Sequence, residues 1–320
     1  MRTLIVTDKP DWSYWQIAKA IQKHNTDPDL TIDVMALKGG VVEFWDRERD
    51  YDRVLIMGLQ MIDSITEETS FWKLLYLPRY KIDGSRWLTG IHSHHAWDDG
   101  KTTPERDVSP GDDWLRTLRR FRNVNAVSLR LRNLFSRNGV SVHYTPNGVD
   151  TEVFRPTTPL TSDGTLRVGF AGTAKGIHDA RKGYSEYVVP ACCKAGCTLI
   201  TAIARTETCL PPEQMPAFWN SVDVMLLPSS SEGFSIAALE AAACGRPVIS
   251  TRVGGSTELI RDGQSGFLVD RTVDAIAEKL VYLQGDRDGL AIMGAMARDV
   301  VVSSWSWQKR APAWFEFLKG

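Results

Sequence analysis

Residues 222–270 read VDVMLLPSSSEGFSIAALEAAACGRPVISTRVGGSTELIRDGQSGFLVD. The apolar run Val224–Leu227 fits a strand buried on both faces, as in a parallel sheet. Pro228 with Ser229, Ser230 and Ser231 ends that strand in a loop. Glu232-Gly233-Phe234-Ser235 leads into a helix-forming run over 236–244, and Gly245 stands where a helix ends in a left-handed residue. Residues 247–251 predict the next strand, and Gly254-Gly255 opens a further helix over 256–261.

The chemistry available in this stretch is anion binding. A glycine loop that runs into a helix presents backbone N–H groups and the positive end of the helix dipole. Gly233 lets a ligand approach the backbone closely, because it has no Cβ. Glu232 lies in the loop and Glu240 about one and a half turns into the helix. Both can line one pocket, and carboxylates there suit a hydroxyl-rich ligand. The same spacing also describes two solvated glutamates beside an ordinary strand–helix turn.

The run SEGFSIAALEAAACGRPVIST with VGGSTELIRDGQSGFLV resembles the donor-binding core of retaining GT-B glycosyltransferases, specifically glycosyltransferase family 4. The likeness rests on Glu232 and Glu240 with seven residues between them, on Cys244-Gly245-Arg246-Pro247-Val248, and on Gly254-Gly255-Ser256-Thr257-Glu258-Leu259. It implies an α/β fold: two Rossmann-like, doubly wound parallel-sheet domains facing across a cleft. The expected division is an acceptor-binding domain over 1–155, a nucleotide-sugar domain over 156–303, and a C-terminal helix over 304–320 that crosses back to the first domain.

At 320 residues the chain has room for two domains of ordinary size. A net charge of -1 implies no bulk attraction to nucleic acid, which is not an expected partner. No apolar run approaches the ~20 residues that span a bilayer. MRTLIVTDKP enters a strand directly and does not read as a signal peptide, so the expected location is the cytoplasm. The five cysteines, with no C-x-x-C pair, read as buried reduced thiols.

In the first half, strands are expected over 3–7, 31–37, 53–57 and 86–91, with a helix over 64–76. This alternation predicts a parallel sheet whose ligands sit beyond the carboxyl ends of the strands. Ser13 is the expected cap of the first helix. The family's Gly-Gly loop after the first strand is absent; Lys9 stands there, either supplying charge in place of backbone amides or as a plain surface turn residue. Lys9 and Trp12 are assigned to the acceptor side. The fourth strand runs into His92-Ser93-His94-His95. A metal draws its ligands from several elements, so this tight run argues weakly for one. The resemblance implies that His92 faces the reacting sugar and that His94 and His95 neighbour the acceptor. Residues 101–113 read as a long loop that would carry acceptor specificity. The helix expected over 114–122 carries Arg116, Arg119, Arg120 and Arg122, with Arg130, Arg132 and Arg137 behind it. A basic amphipathic helix can lie on an anionic membrane or bind a phosphorylated acceptor. It can equally be a solvated face, balanced by the acidic residues from Asp98 to Asp113.

Residues 125–128 predict a strand, Leu129–Arg137 a helix and 142–145 a strand, followed by a polar linker over 157–165. The second domain opens on the strand 166–171 and Gly172-Thr173. The resemblance places an arginine at Thr173 and a lysine–glycine on the next helix, together gripping the donor diphosphate. Lys182-Gly183 matches the lysine, and Arg181 or Lys175 is the candidate for the missing charge. The strand over 198–204 carries Arg205 toward the nucleobase. A terminal helix is expected over 308–318.

The implied reaction moves a sugar from a UDP- or GDP-sugar to an acceptor hydroxyl with retention. Lys182, the amides of Gly233, Phe234 and Ser235, and the helix dipole would stabilise the departing diphosphate. Glu240 would bind the ribose, Glu232 the transferred sugar, and His92 would orient that sugar. No Asp-x-Asp pair stands at a strand end of the second domain, so no metal or other cofactor is expected. The alternatives are a sugar phosphorylase or nucleotide-sugar epimerase on the same fold, or a catalytically weak sugar-nucleotide-binding protein.

Overall fold

The structure, a computed structural model, describes residues 1–10, 12–37, 41–58, 60–62, 65, 82–94, 97–98, 100–160 and 164–320. His95 and most of the helix expected over 64–76 lie outside them. The chain divides into two compact units. Residues 1–99, 108–147 and 310–320 form the first, and 100–107 with 148–309 the second. The chain passes between them at 147/148, where the sequence suggests 155/156.

The first unit is built on β1 (Arg2–Thr7), β2 (Thr31–Ala36), β3 (Arg53–Ile56), β4 (Trp87–Ile91), β5 (Asn123–Ala126) and β6 (His143–Tyr144). Their order is β2-β1-β3-β4-β5-β6, and every pair is parallel. The apolar runs of β1, β3 and β4 are buried throughout or nearly so, as helices on both faces require. The helices are α1 (Ser13–Lys23), α2 (Val41–Arg47), α3 (Asp112–Leu118) and α4 (Leu129–Arg137). Trp12, not Ser13, is the N-cap of α1, without a side-chain hydrogen bond. The sequence reading does not include α2, whose Phe44 and Trp45 each pack against Trp87 at 5.4 Å. The basic helix is shorter than expected and ends at Leu118. Ser128 caps α4 by accepting from Leu131 N–H.

The second unit contains β7 (Arg167–Gly172), α5 (Ile177–Lys182), α6 (Val189–Ala195), β8 (Thr198–Ile203), α7 (Met215–Asn220), β9 (Val224–Leu227), α8 (Ile236–Ala243), β10 (Val248–Thr251), α9 (Ser256–Leu259), β11 (Gly266–Val269), α10 (Val273–Gly285) and α11 (Arg287–Ser304). The chain ends in α12 (Trp307–Lys319). The sheet order is β11-β10-β9-β7-β8, again all parallel. Its core joins Val168, Phe170, Val224, Leu226 and Ile249 to Leu280 and Leu290. The sequence reading does not include α11. Arg298 on that helix donates to the carbonyls of Thr151, Phe154 and Ala243 at 2.6–2.9 Å. Arg246, 1% exposed, donates to Trp219 O and Thr158 O at 3.0 and 2.7 Å. The start of the expected linker is therefore pinned to the second unit. Cys193 and Cys209 are exposed, so the expectation of uniformly buried thiols holds only in part.

Candidate functional site

In the second sheet β7 has β9 on one side and β8 on the other. Loops leaving β7 and β9 therefore diverge to opposite faces, opening a crevice at their carboxyl ends. The loop after β9 holds Glu232, and the loop and short helix after β7 hold Arg181 and Lys182. Lys182 is the last residue of α5, and Gly183 is its C-cap.

Lys182 Nζ donates to Glu232 Oε1 at 2.6 Å, and Arg181 Nη1 lies 3.5 Å from the same oxygen. Ser229 Oγ donates to it at 2.7 Å. Burial pushes the Glu232 carboxyl up, but Lys182 and Arg181 outweigh it and hold it down at about 2. Burial pushes the Lys182 ammonium below its ordinary value; Glu232 opposes this and Arg181 adds to it. Burial is the main cause for Lys182 and the two cations are the cause for Glu232; with one carboxylate facing both, positive charge is in excess.

Backbone contacts fix the two cations. Arg271 Nε donates to Pro228 O at 2.8 Å and its Nη2 to Ala180 O at 2.6 Å, while Ser230 N–H donates to Arg181 O at 2.8 Å. Gly183, at φ 71°, leaves room for this seam, since a Cβ there would sit 2.9 Å from Pro228 O. The methylenes of Lys182 pass within 3.8 Å of the point a Cβ would occupy on Gly172. Thr173 is partly buried and Lys175 exposed, so Arg181 is the residue brought to the carboxylate. Arg205 is exposed and is the one described non-glycine residue with positive φ, 64°. Its field, with those of Arg181 and Lys182, follows burial in pushing the His178 imidazole down. Strain of this kind collects at functional sites.

Ser235 spends its hydroxyl capping α8, accepting from Ala238 N–H at 3.2 Å. Among the described residues the Gly233 and Ser235 N–H groups donate to no acceptor. The Phe234 ring points inward, 4.8 Å from Trp305. A Cβ on Gly255 would overlap that ring, and one on Gly254 would overlap the carbonyls of Glu232 and Gly233. The glycine pair thus seats the loop. Glu240 accepts from Trp219 Nε1 at 3.0 Å, and burial raises its carboxyl to about 7.

In the first unit, β1 lies between β2 and β3, giving a second crevice of the same kind. His92 follows β4. Its ring meets Tyr14 edge-on at 4.9 Å and tilts against Trp314 at 6.1 Å. The point a Cβ would occupy on Gly90 lies 2.7 Å from His92 Nε2 and Met57 O, and 2.8 Å from Asn125 Oδ1. Nε2 therefore faces inward, and burial lowers the imidazole to about 3, which keeps it neutral. Lys9 Nζ sits 4.7 Å over the ring of Trp12, itself 44% exposed. His94 is 1% exposed and its ring lies 5.4 Å from that of Trp97.

The match to a known family falls on the second unit. A family model described as Glycosyl transferases group 1 matches residues 195–286. Similar curated proteins include a GDP-mannose-dependent alpha-(1-6)-phosphatidylinositol monomannoside mannosyltransferase of Mycolicibacterium smegmatis, 37% identical over 119 residues, which are 35% of this chain and 31% of that protein. A D-inositol 3-phosphate glycosyltransferase of Acidothermus cellulolyticus is 49% identical over 61 residues, 19% of this chain and 14% of that protein. The chain thus spans less than a third of the length of these relatives. The crystal structure of Anabaena Alr3699/HepE in complex with UDP and glucose aligns over 100% of both chains at 16% identity, with a TM-score of 0.71. Sucrose-phosphate synthase from Thermosynechococcus elongatus aligns over 100% of this chain and 98% of its own, at 14% identity and a TM-score of 0.70. The fold is GT-B, with two Rossmann-like parallel-sheet domains.

The stretch matched by the group 1 model contains Arg205, Glu232, Gly233, Phe234, Ser235 and Glu240. Gly172, Thr173, Arg181 and Lys182 precede that stretch in sequence, yet the fold brings Arg181 and Lys182 to Glu232 within it. Ser229, Trp219 and Arg271 are absent from the sequence-derived site. Arg271 has no local signal, because its partners lie far away along the chain.

Proposed function

We propose that this protein is a glycosyltransferase that moves a sugar from a UDP- or GDP-sugar to an acceptor hydroxyl, with retention. The observation that carries this reading is the pairing of Arg181 and Lys182 against a single carboxylate at the switch point of the second sheet. Departure of a nucleoside diphosphate builds negative charge, and two fixed cations there lower its barrier. Because the chain supplies that charge itself, the reaction is proposed to be metal-independent. The uncapped amides of Gly233 and Ser235 add donors on the same loop. Glu240, its carboxyl raised to about 7 by burial, accepts from ribose hydroxyls once it has released its proton, and Arg205 takes the nucleobase end. The names of the relatives point the same way: one uses GDP-mannose and one fold neighbour holds UDP.

The acceptor is assigned to the strand ends of the first unit, at Lys9 and Trp12. His92 turns Nε2 inward, so Nδ1 is the nitrogen that meets a sugar hydroxyl. No described helix is long and apolar enough to cross a membrane. Between Trp114 and Val149 the sequence has seven arginines and no acidic residue, which suits peripheral contact with an anionic bilayer. Sedimentation with anionic but not zwitterionic vesicles checks this.

The test of the reaction uses UDP-glucose and GDP-mannose as donors. The wild type should gain thermal stability with one of them and release its nucleotide. Lys182→Ala should fold and lose at least about a hundredfold in turnover, in the range for one lost electrostatic donor. A folded Lys182→Ala protein with full turnover refutes the reading.

A further inference from the structure

Glu232 Oε1 is crowded: Lys182 Nζ, Ser229 Oγ and Arg181 Nη1 lie 2.6, 2.7 and 3.5 Å from it. The side chains of Arg181, Lys182 and Glu232 are only 13%, 14% and 10% exposed. Two cations therefore share one anion in a place with little solvent. Arg181 Nε is buried and has no acceptor, so the guanidinium holds a donor in reserve. A second anionic group would satisfy both the charge and the donor.

Both sides of this cluster have a fixed backbone: Thr251 Oγ1 donates to Ser229 O at 2.6 Å and Gly255 N–H to Gly233 O at 2.9 Å on the Glu232 side. The backbone of Arg181 is tied down by Arg271 and by Ser230 N–H, and the Lys182 stem rests against Gly172. Glu232 belongs to neither strand nor helix and follows three serines. An incoming anion would meet fixed cations and a carboxylate that can leave them by rotation of the Glu232 side chain alone.

We propose that Glu232 is a stand-in anion: in the empty protein its carboxylate occupies the place on Lys182 and Arg181 that the diphosphate of a nucleoside diphosphate takes, and binding displaces it. This rests on the donor-site reading above and deepens it. The displaced carboxylate is then free to accept from a hydroxyl of the transferred sugar. Leaving Lys182 paired would place like charges, carboxylate and phosphate, within a few ångströms at low dielectric, which is strongly unfavourable.

The experiment is calorimetric titration of wild type and Glu232→Gln with UDP, GDP, inorganic pyrophosphate, and the nucleosides uridine and guanosine. Glu232→Gln keeps the shape and removes the competing charge. It should bind the nucleoside diphosphate preferred by the wild type, and pyrophosphate, about tenfold or more tightly, with nucleoside affinity unchanged. Unchanged or weaker diphosphate affinity in folded Glu232→Gln overturns the stand-in role but leaves the donor-site reading intact. Tightening toward pyrophosphate alone overturns the assignment to a nucleotide. Failure of both proteins to bind UDP or GDP overturns both readings. If Glu232→Gln does not fold, a wild-type crystal soaked with the preferred nucleotide decides. The Lys182–Glu232 separation should open from 2.6 Å to beyond about 4 Å, the limit for an ion pair. A bound diphosphate with the 2.6 Å contact intact overturns the proposal.

Discussion

Replacing Glu240 by Gln should stabilise the protein at alkaline pH and leave it unchanged in acid. Glu240 sits in α8, with Trp219 Nε1 as its partner at 3.0 Å and no cation beside it among the described residues. Burial raises its carboxyl from 4.5 to about 7, opposed only by the Trp219 hydrogen bond. The native state therefore keeps a proton between pH 4.5 and about 7 that the unfolded chain has released. Stability falls as pH rises through that window, and the whole penalty is present above it. At about 1.4 kcal/mol per pH unit the ceiling is on the order of 3 kcal/mol. Glu240 is only partly buried, which brings the expectation to about 1–3 kcal/mol. A glutamine carbonyl can still accept from Trp219, so the hydrogen bond is retained and only the charge is lost. Urea denaturation of both proteins from pH 4.5 to 8.5 reads the difference. The curves should coincide at the acid end and diverge through neutrality, with Glu240→Gln the more stable at pH 8. A gap independent of pH, or a wild type more stable at pH 8, refutes this account of the carboxyl. The same variant should bind nucleoside diphosphate sugars more weakly, since a stability penalty of this kind persists where function needs the charge.

The other expectations concern packing and acid sensitivity. Gly255→Ala forces a methyl group into the Phe234 ring, so Phe234 must shift and carry residues 232–235 with it. It should cost about 1–3 kcal/mol in denaturant unfolding and weaken nucleotide binding in the same protein. His92 has its imidazole lowered by burial from 6.5 to about 3, so the native state refuses a proton that the unfolded chain accepts. Stability should be complete above pH 6.5 and fall as pH drops from there toward 3. His92→Gln should flatten that acid slope, by on the order of 1–3 kcal/mol at pH 4.5 in thermal or urea unfolding; an unchanged slope means another group carries it.

Much of the second unit was legible in the chain itself. Val224–Leu227 is apolar without alternation and is buried on both faces. Ser235 and Gly245 mark the ends of α8 as a cap and a left-handed stop, at φ 71° for the glycine. These are local signals, carried by a few adjacent residues, and they fixed strands, helix ends and the loop that holds Glu232. Helices α2 and α11 went unread although both carry local signals: Val41, Phe44 and Trp45 form an apolar stripe in the first, Leu290, Met293, Ala297 and Val301 one in the second, and Asp286 caps α11 by accepting from Gly289 N–H.

The sequence by itself determined that the chain alternates strand and helix into parallel sheets, and that Glu232 and Glu240 flank a turn suited to an anion. Periodicity and turn chemistry act between near neighbours, so residue order is enough to read them. Only the tertiary structure decided what those groups meet. It set Lys182 and Arg181 on a single Glu232 oxygen, chose Arg181 over Lys175, turned Phe234 inward and buried His94. It also left Glu240 facing an indole instead of a cation. Those outcomes depend on Arg271 reaching back to Ala180, on Gly255 admitting the Phe234 ring, and on the order of strands in the sheet. Contacts between residues far apart in the chain are set by how whole elements pack, and no local pattern records them.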